Sequence, residues 1–179
     1  MAVRPGPSRR HATTRIPPTA SMSSPRERIV ASFNAQSLMA TIGAKLTLVE
    51  DGEVHITLPF SKQLSQQHGY VHAGAITSVL DTACGYAALT KAPIDFEVVT
   101  AEFKINFLRP ALGDRFLAIG TVKNAGRLLT VCTGEVRAFS GTASEYKVVA
   151  LMQATIANVA KGAIAGPEIA TGRNASPAD

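Results

Sequence analysis

At 179 residues, with 46% hydrophobic and 17% charged side chains, the chain has the size and apolar content of one folded domain, which excludes a wholly disordered polymer. No apolar run reaches the ~18 residues needed to cross a bilayer, because Lys, Asp, Glu or Arg interrupts each one. The net charge of +5 does not indicate nucleic acid: Arg4, Arg9, Arg10, Arg15 and Arg26 lie in an acid-free N-terminal stretch, and without them 13 Lys+Arg face 13 Asp+Glu. Cys84 and Cys132 are too far apart for paired metal-ligand spacing, so no metal is expected and the default is a reduced, cytoplasmic protein.

In chain order, residues 1–24 are rich in Pro, Ser, Thr and Arg without apolar periodicity, and read as a disordered tail. A transit peptide and a start-site artefact, with Met22 as the working start, stay open as alternatives. Ser24-Pro25-Arg26-Glu27 has the form of a helix cap, and Ile29, Val30, Phe33, Leu38 and Ile42 supply a helical stripe that predicts one helix ending near Gly43. Segments 45–50 and 54–59 flank Asp51-Gly52, a hairpin signal, and residues 60–71 read as a polar loop. From about 72 to 90 a nearly uncharged segment carries the periodicity of a buried helix with one acid, Asp81. Four strand candidates follow at 98–108, 116–122, 128–139 and 146–157. In the first, Ala101, Phe103, Ile105 and Phe107 alternate with Glu102, Lys104 and Asn106, so one apolar face is expected. Residues 161–179 lose pattern and read as a second disordered tail, leaving 25–160 as the domain. The expectation is an α+β protein, an antiparallel sheet of about six strands curved around a long helix.

The chemistry concentrates between Gln66 and Ala83. A loop containing Gly69 and His72-Ala73-Gly74 feeds a helix start, where unpaired amides and the positive dipole end can hold a developing oxyanion. Two turns on, Asp81 sits among apolar neighbours, where desolvation raises the pKa of a carboxylate and suits it to general-base or nucleophilic work. The structural alternative is that Asp81 merely bonds Ser78 or a backbone group and fixes the helix. Cys84 lacks a His at a spacing that suggests an activated pair and reads as a small buried hydrophobe, while His68 reads as a solvent-facing loop residue.

These residues resemble the phenylacetate-degradation (PaaI-type) hotdog-fold acyl-CoA thioesterase family. Its pattern is a polar Asn or Gln, a Gly three residues on, His-Gly-Gly, and an acid nine residues after the His. Gln66, Gly69, His72-Ala73-Gly74 and Asp81 match it, as do Tyr86-Ala87, Asn106-Phe107-Leu108-Arg109-Pro110 and the turn at Gly126-Arg127; residues 28–158 fit the layout. The resemblance implies a hotdog fold and hydrolysis of an acyl-CoA thioester to free acid and CoA, with no metal and no organic cofactor. It assigns Asp81 as base or nucleophile, the Ala73 amide as oxyanion donor with Gly74 beside it, and Gln66 as orienter; His72, at the family's His position, reads as a loop brace because the helix N-terminus beside it disfavours imidazolium. Thr100 would help hold water, and Arg109, Arg127 and Lys104 are candidates for the phosphates of CoA. Active sites shared between the subunits of a homodimer, with a tetramer as a further step, are implied as well. Two positions depart from the pattern. Ala73 replaces the middle Gly, which serves if its φ is negative, and Gln66 stands where close relatives often have Asn. A non-catalytic acyl-CoA-binding module and a hotdog hydratase or dehydratase are the rival functions.

Overall fold

A computed structural model describes residues 24–142 and 144–163. The expected tails therefore lie outside the described residues, apart from Ser24 and a turn at 161–163.

Helix α1, Pro25–Asn34, starts where the cap was read: the Ser24 hydroxyl accepts from the Glu27 amide at 3.2 Å, and the Ser24 amide donates to the Glu27 carboxylate at 2.8 Å. The single helix expected as far as Gly43 is instead two, because Gln36 leaves helical geometry (φ −79°, ψ 103°) and caps a short α2, Ser37–Thr41. The Gln36 side chain donates to the Tyr86 hydroxyl at 2.8 Å, a tertiary contact that an apolar stripe does not reveal. Gly43, at φ 73°, then turns the chain into the sheet.

Strands β1, Lys45–Glu50, and β2, Glu53–Pro59, form the expected hairpin. The polar loop holds a 3-10 turn, Lys62–Leu64, and an isolated bridge between Ser65 and Val71 that closes residues 66–70 into a tight lobe. Helix α3, Ala73–Lys91, is followed by β3, Phe96–Phe107, β4, Arg115–Ala125, β5, Leu129–Phe139, and β6, Tyr146–Ala160. All neighbouring strands are antiparallel in the order β1-β2-β4-β5-β6-β3. This six-stranded sheet around α3 is the hotdog arrangement.

The core is the space between helix and sheet. Ile76, Val79, Leu80, Ala83, Cys84 and Ala87 of α3 are fully buried, against Ile56 and Leu58 of β2, Phe116 and Ala118 of β4, and Ile156 of β6. Close approach depends on two residues without side chains. A Cβ on Gly120 would lie 2.4 Å from the Ala83 carbonyl carbon, and one on Gly134 would lie 2.7 Å from Leu80 Cδ1. Gly120→Ala collides with backbone that cannot rotate away, so an equilibrium denaturation series is expected to register a loss of about 3 kcal/mol or an unfolded product.

Strand β3 is a sheet edge with its own irregularity. Ala101 is an extra residue between Thr100, paired with Ile156, and Glu102, paired with Thr155. The expected apolar face of β3 is consequently not covered by its own chain: Val99, Phe103 and Phe107 are each more than 40% exposed.

Candidate active site

The loop leading into α3 is held by its own backbone. Gln66 and Tyr70 are joined by a 2.9 Å bond from the Gln66 amide, Gly69 donates to the Gln66 carbonyl at 2.9 Å, and Gly69 adopts φ 86°, which a side chain would strain. The Val71 amide donates to Ala111 in the β3–β4 loop and the His72 amide to Leu64 in the 3-10 turn, so the lobe is clamped from two sides. Gln66 is oriented by the His68 amide, which donates to its Oε1 at 3.1 Å, while its Nε2 is buried without a hydrogen-bond partner among the described residues. A buried amide NH₂ left unpaired is costly, and it marks a donor available to a ligand.

His72 caps α3: its Nδ1 accepts from the Gly74 amide at 2.9 Å. That bond removes Gly74 from the expected pair of oxyanion donors, because its N–H is already engaged. The Ala73 amide, by contrast, has no acceptor among the described residues and stands at the exposed positive end of a 19-residue helix. Ala73 meets the condition set by its departure from Gly, since no non-glycine residue among those described has positive φ. One hydrogen bond thus ties His72 to the helix start and engages Gly74, and the Ala73 N–H beside it has no acceptor among the described residues.

Asp81 does not use the local partners proposed as its structural alternative. The Ser78 hydroxyl bonds the Gly74 carbonyl, and Asp81 Oδ1 accepts from the Thr100 hydroxyl of β3 at 2.8 Å. Burial raises the Asp81 pKa above the ordinary 3.8, and the Thr100 bond opposes that rise. The carboxylate lines a cleft of about 340 Å³ with Thr100, Ser78 and Thr82. Ser32, Gln36 and Tyr86 close the same cleft; Tyr86 entered the sequence reading only as part of the family pattern, and Ser32 and Gln36 did not enter it. Tyr86 donates to Ser32 at 3.1 Å and accepts from Gln36 at 2.8 Å, so three polar groups form one chain. The Ser32 to Gln36 spacing of one helical turn was the available signal, although the break between α1 and α2 hides it.

Ala73 and Asp81 are eight residues apart on one straight helix, about 12 Å at 1.5 Å per residue. A single carbonyl carbon cannot meet both groups of one chain. Arg109 shares with Ala73 a cleft of about 270 Å³, beside Tyr70, Phe107 and Pro110. Lys104 lies elsewhere, in a groove with Glu53, Thr121, Thr133 and Gln153, residues that pair in register across the face of the sheet away from α3. Arg127 is exposed in the β4–β5 turn, at the opposite end of the sheet from Arg109.

Comparison with known proteins gives these positions a setting. Residues 68–144 match the family model described as the thioesterase superfamily. A solved structure of a thioesterase family protein from Silicibacter pomeroyi is 40% identical, with a TM-score of 0.73, and the match covers 76% of this chain and 98% of that one. A candidate esterase of Saccharolobus solfataricus is 30% identical over 121 residues, 67% of this chain and 86% of the relative. The Escherichia coli PaaI protein of the phenylacetic acid degradation operon, 23% identical with a TM-score of 0.67 and covered over 78% of this chain and 96% of that one, shares the fold.

Proposed function

Since the chain belongs to the thioesterase superfamily and is a thioester hydrolase, we propose that its substrate is an acyl-CoA and that Asp81 is the group that activates the attacking water. The observation that carries this reading is the placement of Asp81: a half-buried carboxylate with a raised pKa, held by Thr100 at the edge of a cleft. A carboxylate so placed is a stronger base than a solvated one.

The reaction needs protein groups and water. Asp81 takes a proton from water as the oxygen bonds to the thioester carbon, the carbonyl electrons move to oxygen, and the Ala73 N–H holds that oxyanion. Collapse re-forms the carbonyl, breaks the C–S bond and returns the proton from Asp81 to the CoA sulfur. Direct attack by Asp81, through an anhydride that water then opens, uses the same placement. Gln66 Nε2, buried and unpartnered, orients the thioester. The ~12 Å between Ala73 and Asp81 supports a homodimer in which Asp81 of one copy faces Gln66 and Ala73 of the other. The open edge of β3, with Phe103 and Phe107 exposed, supports the same association, and a tetramer would be a pair of such dimers. Two free, buried cysteines fit a reducing, cytoplasmic setting. No helix among the described residues is long and apolar enough to cross a membrane.

Thiol release from aromatic, short-chain and long-chain CoA esters tests the proposal; turnover of none of them would refute it. The ionised form of Asp81 is the working one, so kcat/KM is expected to fall as pH drops through its raised pKa. Thr100→Val removes the bond that opposes the rise and should move this acid limb to higher pH. It should also lower kcat by about tenfold, the equivalent of one hydrogen bond to a charged group. A pH–rate profile with an unmoved limb would mean that Thr100 does not act on Asp81.

A further inference from the structure

Gly85 is a glycine that packing within the chain does not explain. It lies inside the 19-residue helix α3, where glycine is among the least favoured residues. Gly120 and Gly134 are bare because a Cβ there would strike α3, but a Cβ on Gly85 would meet no atom within 4 Å among the described residues. The open space belongs to the cleft that holds Asp81, and Gly85 is part of its lining. We propose that Gly85 determines acyl specificity, admitting an acyl group that is broad beside the thioester carbonyl, a ring or a branch, and uncharged at its far end. The inference rests on the acyl-CoA reading and deepens it by naming the acyl class.

Position and direction both follow from helix geometry. Gly85 is one turn beyond Asp81, about 6 Å along the axis and on the same face. Side chains on a helix lean toward its N-terminus, so any side chain at 85 would lie over the turn that carries Asp81. There it would fill the floor beneath the first atoms after the carbonyl that Asp81 serves. The bare backbone leaves width at that point, which a slim chain does not use and a ring or branch does. Leu89, a further turn on and buried, and Val98 of β3 give the floor apolar boundaries.

The far part of the cleft carries acid and no base. Strand β3 starts beside the C-terminal end of α3 and reaches Asp81 at Thr100, so Glu97 stands toward the far end. Glu97 and Asp81 both line the cleft, and none of its lining residues is Lys, Arg or His. Arg28 approaches Glu97 at 3.5 Å, but its guanidinium also donates to the Pro93 and Phe96 carbonyls and is already engaged. An acyl group ending in a carboxylate would meet like charge without compensation.

The test uses the full-length protein with cyclohexanecarbonyl-CoA, the unbranched acyl-CoA of the same carbon count, and the ring ester bearing a second carboxylate opposite the carbonyl. In kcat/KM the parent should take the ring ester at least as well as the unbranched one, and disfavour the carboxylated ring by about tenfold or more. Gly85→Ala should lower the ratio of ring to unbranched ester, and Gly85→Leu should lower it by about tenfold or more, as overfilling a site implies. Alanine favours the helix and its Cβ meets open space, so the Tm of Gly85→Ala should equal or exceed that of the parent; a fallen ratio then does not report lost folding. A ratio that neither variant moves, a parent that prefers the unbranched ester, or equal turnover of the carboxylated ring overturns the assignment. So does a change of molecular mass in light scattering of Gly85→Leu, which would give the open space to a partner subunit. If the parent hydrolyses no thioester, the acyl-CoA reading itself fails. NMR titration with cyclohexanecarboxamide then still decides the cleft: binding that Gly85→Leu abolishes supports it, and no binding, or binding that Gly85→Leu leaves unchanged, overturns it.

Discussion

Asp81→Asn is expected to lower kcat for thioester hydrolysis by about 10³-fold, the usual range for removing a general base, with the fold retained. Asn keeps the shape of the side chain and an oxygen that can accept from Thr100, so the 2.8 Å contact between α3 and β3 survives. What it loses is the capacity to take a proton. The stability of the variant separates this account from a purely structural one. Because the folded-state pKa of Asp81 is raised, the parent gains stability from this group below the unfolded value of 3.8 and loses it as pH rises through the folded value. At pH 7 the parent therefore carries a partly desolvated charge that Asn does not. The Tm of Asp81→Asn should equal or exceed that of the parent in a thermal melt, while thiol release nearly disappears. A drop of several degrees together with retained turnover would assign Asp81 to holding the helix.

Ala73→Pro should cost about 10² to 10³ in kcat by deleting one amide donor and nothing else. Proline is normally disruptive in a helix, but Ala73 is the first helical residue after the cap, where proline is accepted and no intrahelical bond is lost. The preceding residue must be extended, and His72 already is, at φ −61° and ψ 138°. Far-UV circular dichroism should match the parent. Ala73→Pro and Asp81→Asn can also be unfolded and refolded together. If each site takes its acid from one copy and its amide from another, half of the random pairs are mixed, and each mixed pair holds one intact site. Activity should then recover to about a quarter of the parent value. Recovery no greater than that of either variant alone would place both groups in a single chain's site.

The hotdog fold was legible in the sequence because its signals are local. The capping box at Ser24, the turn at Asp51-Gly52, the single acid in a long apolar helix and the alternation of the later strands each report on a few neighbouring residues. The misreadings occurred where distant groups decide. The first helix breaks at Gln36, which is engaged by Tyr86, 50 residues away. The apolar face of β3 faces outward because this strand ends up at the sheet edge, a consequence of strand order and not of its own residues. At the site, the buried helix pointed to Asp81 and the family resemblance to Gln66 and Ala73, yet only coordinates show that His72 occupies the Gly74 amide and leaves one donor free. The three candidate cations are alike in sequence, and their separation follows from which end and which face of the sheet each strand presents. Nothing local in Arg109, Lys104 or Arg127 encodes that.

The bare backbone at Gly120 and Gly134 bears on more than the tightness of the core. Ala83 presses on one and Leu80 on the other, and these two residues flank Asp81 in the helix. The helix is keyed into the sheet at two points, which resists rolling and sliding, and the compass bearing of the carboxylate is fixed by strands packed on the far side of the helix. Reactivity in this protein is aimed from behind.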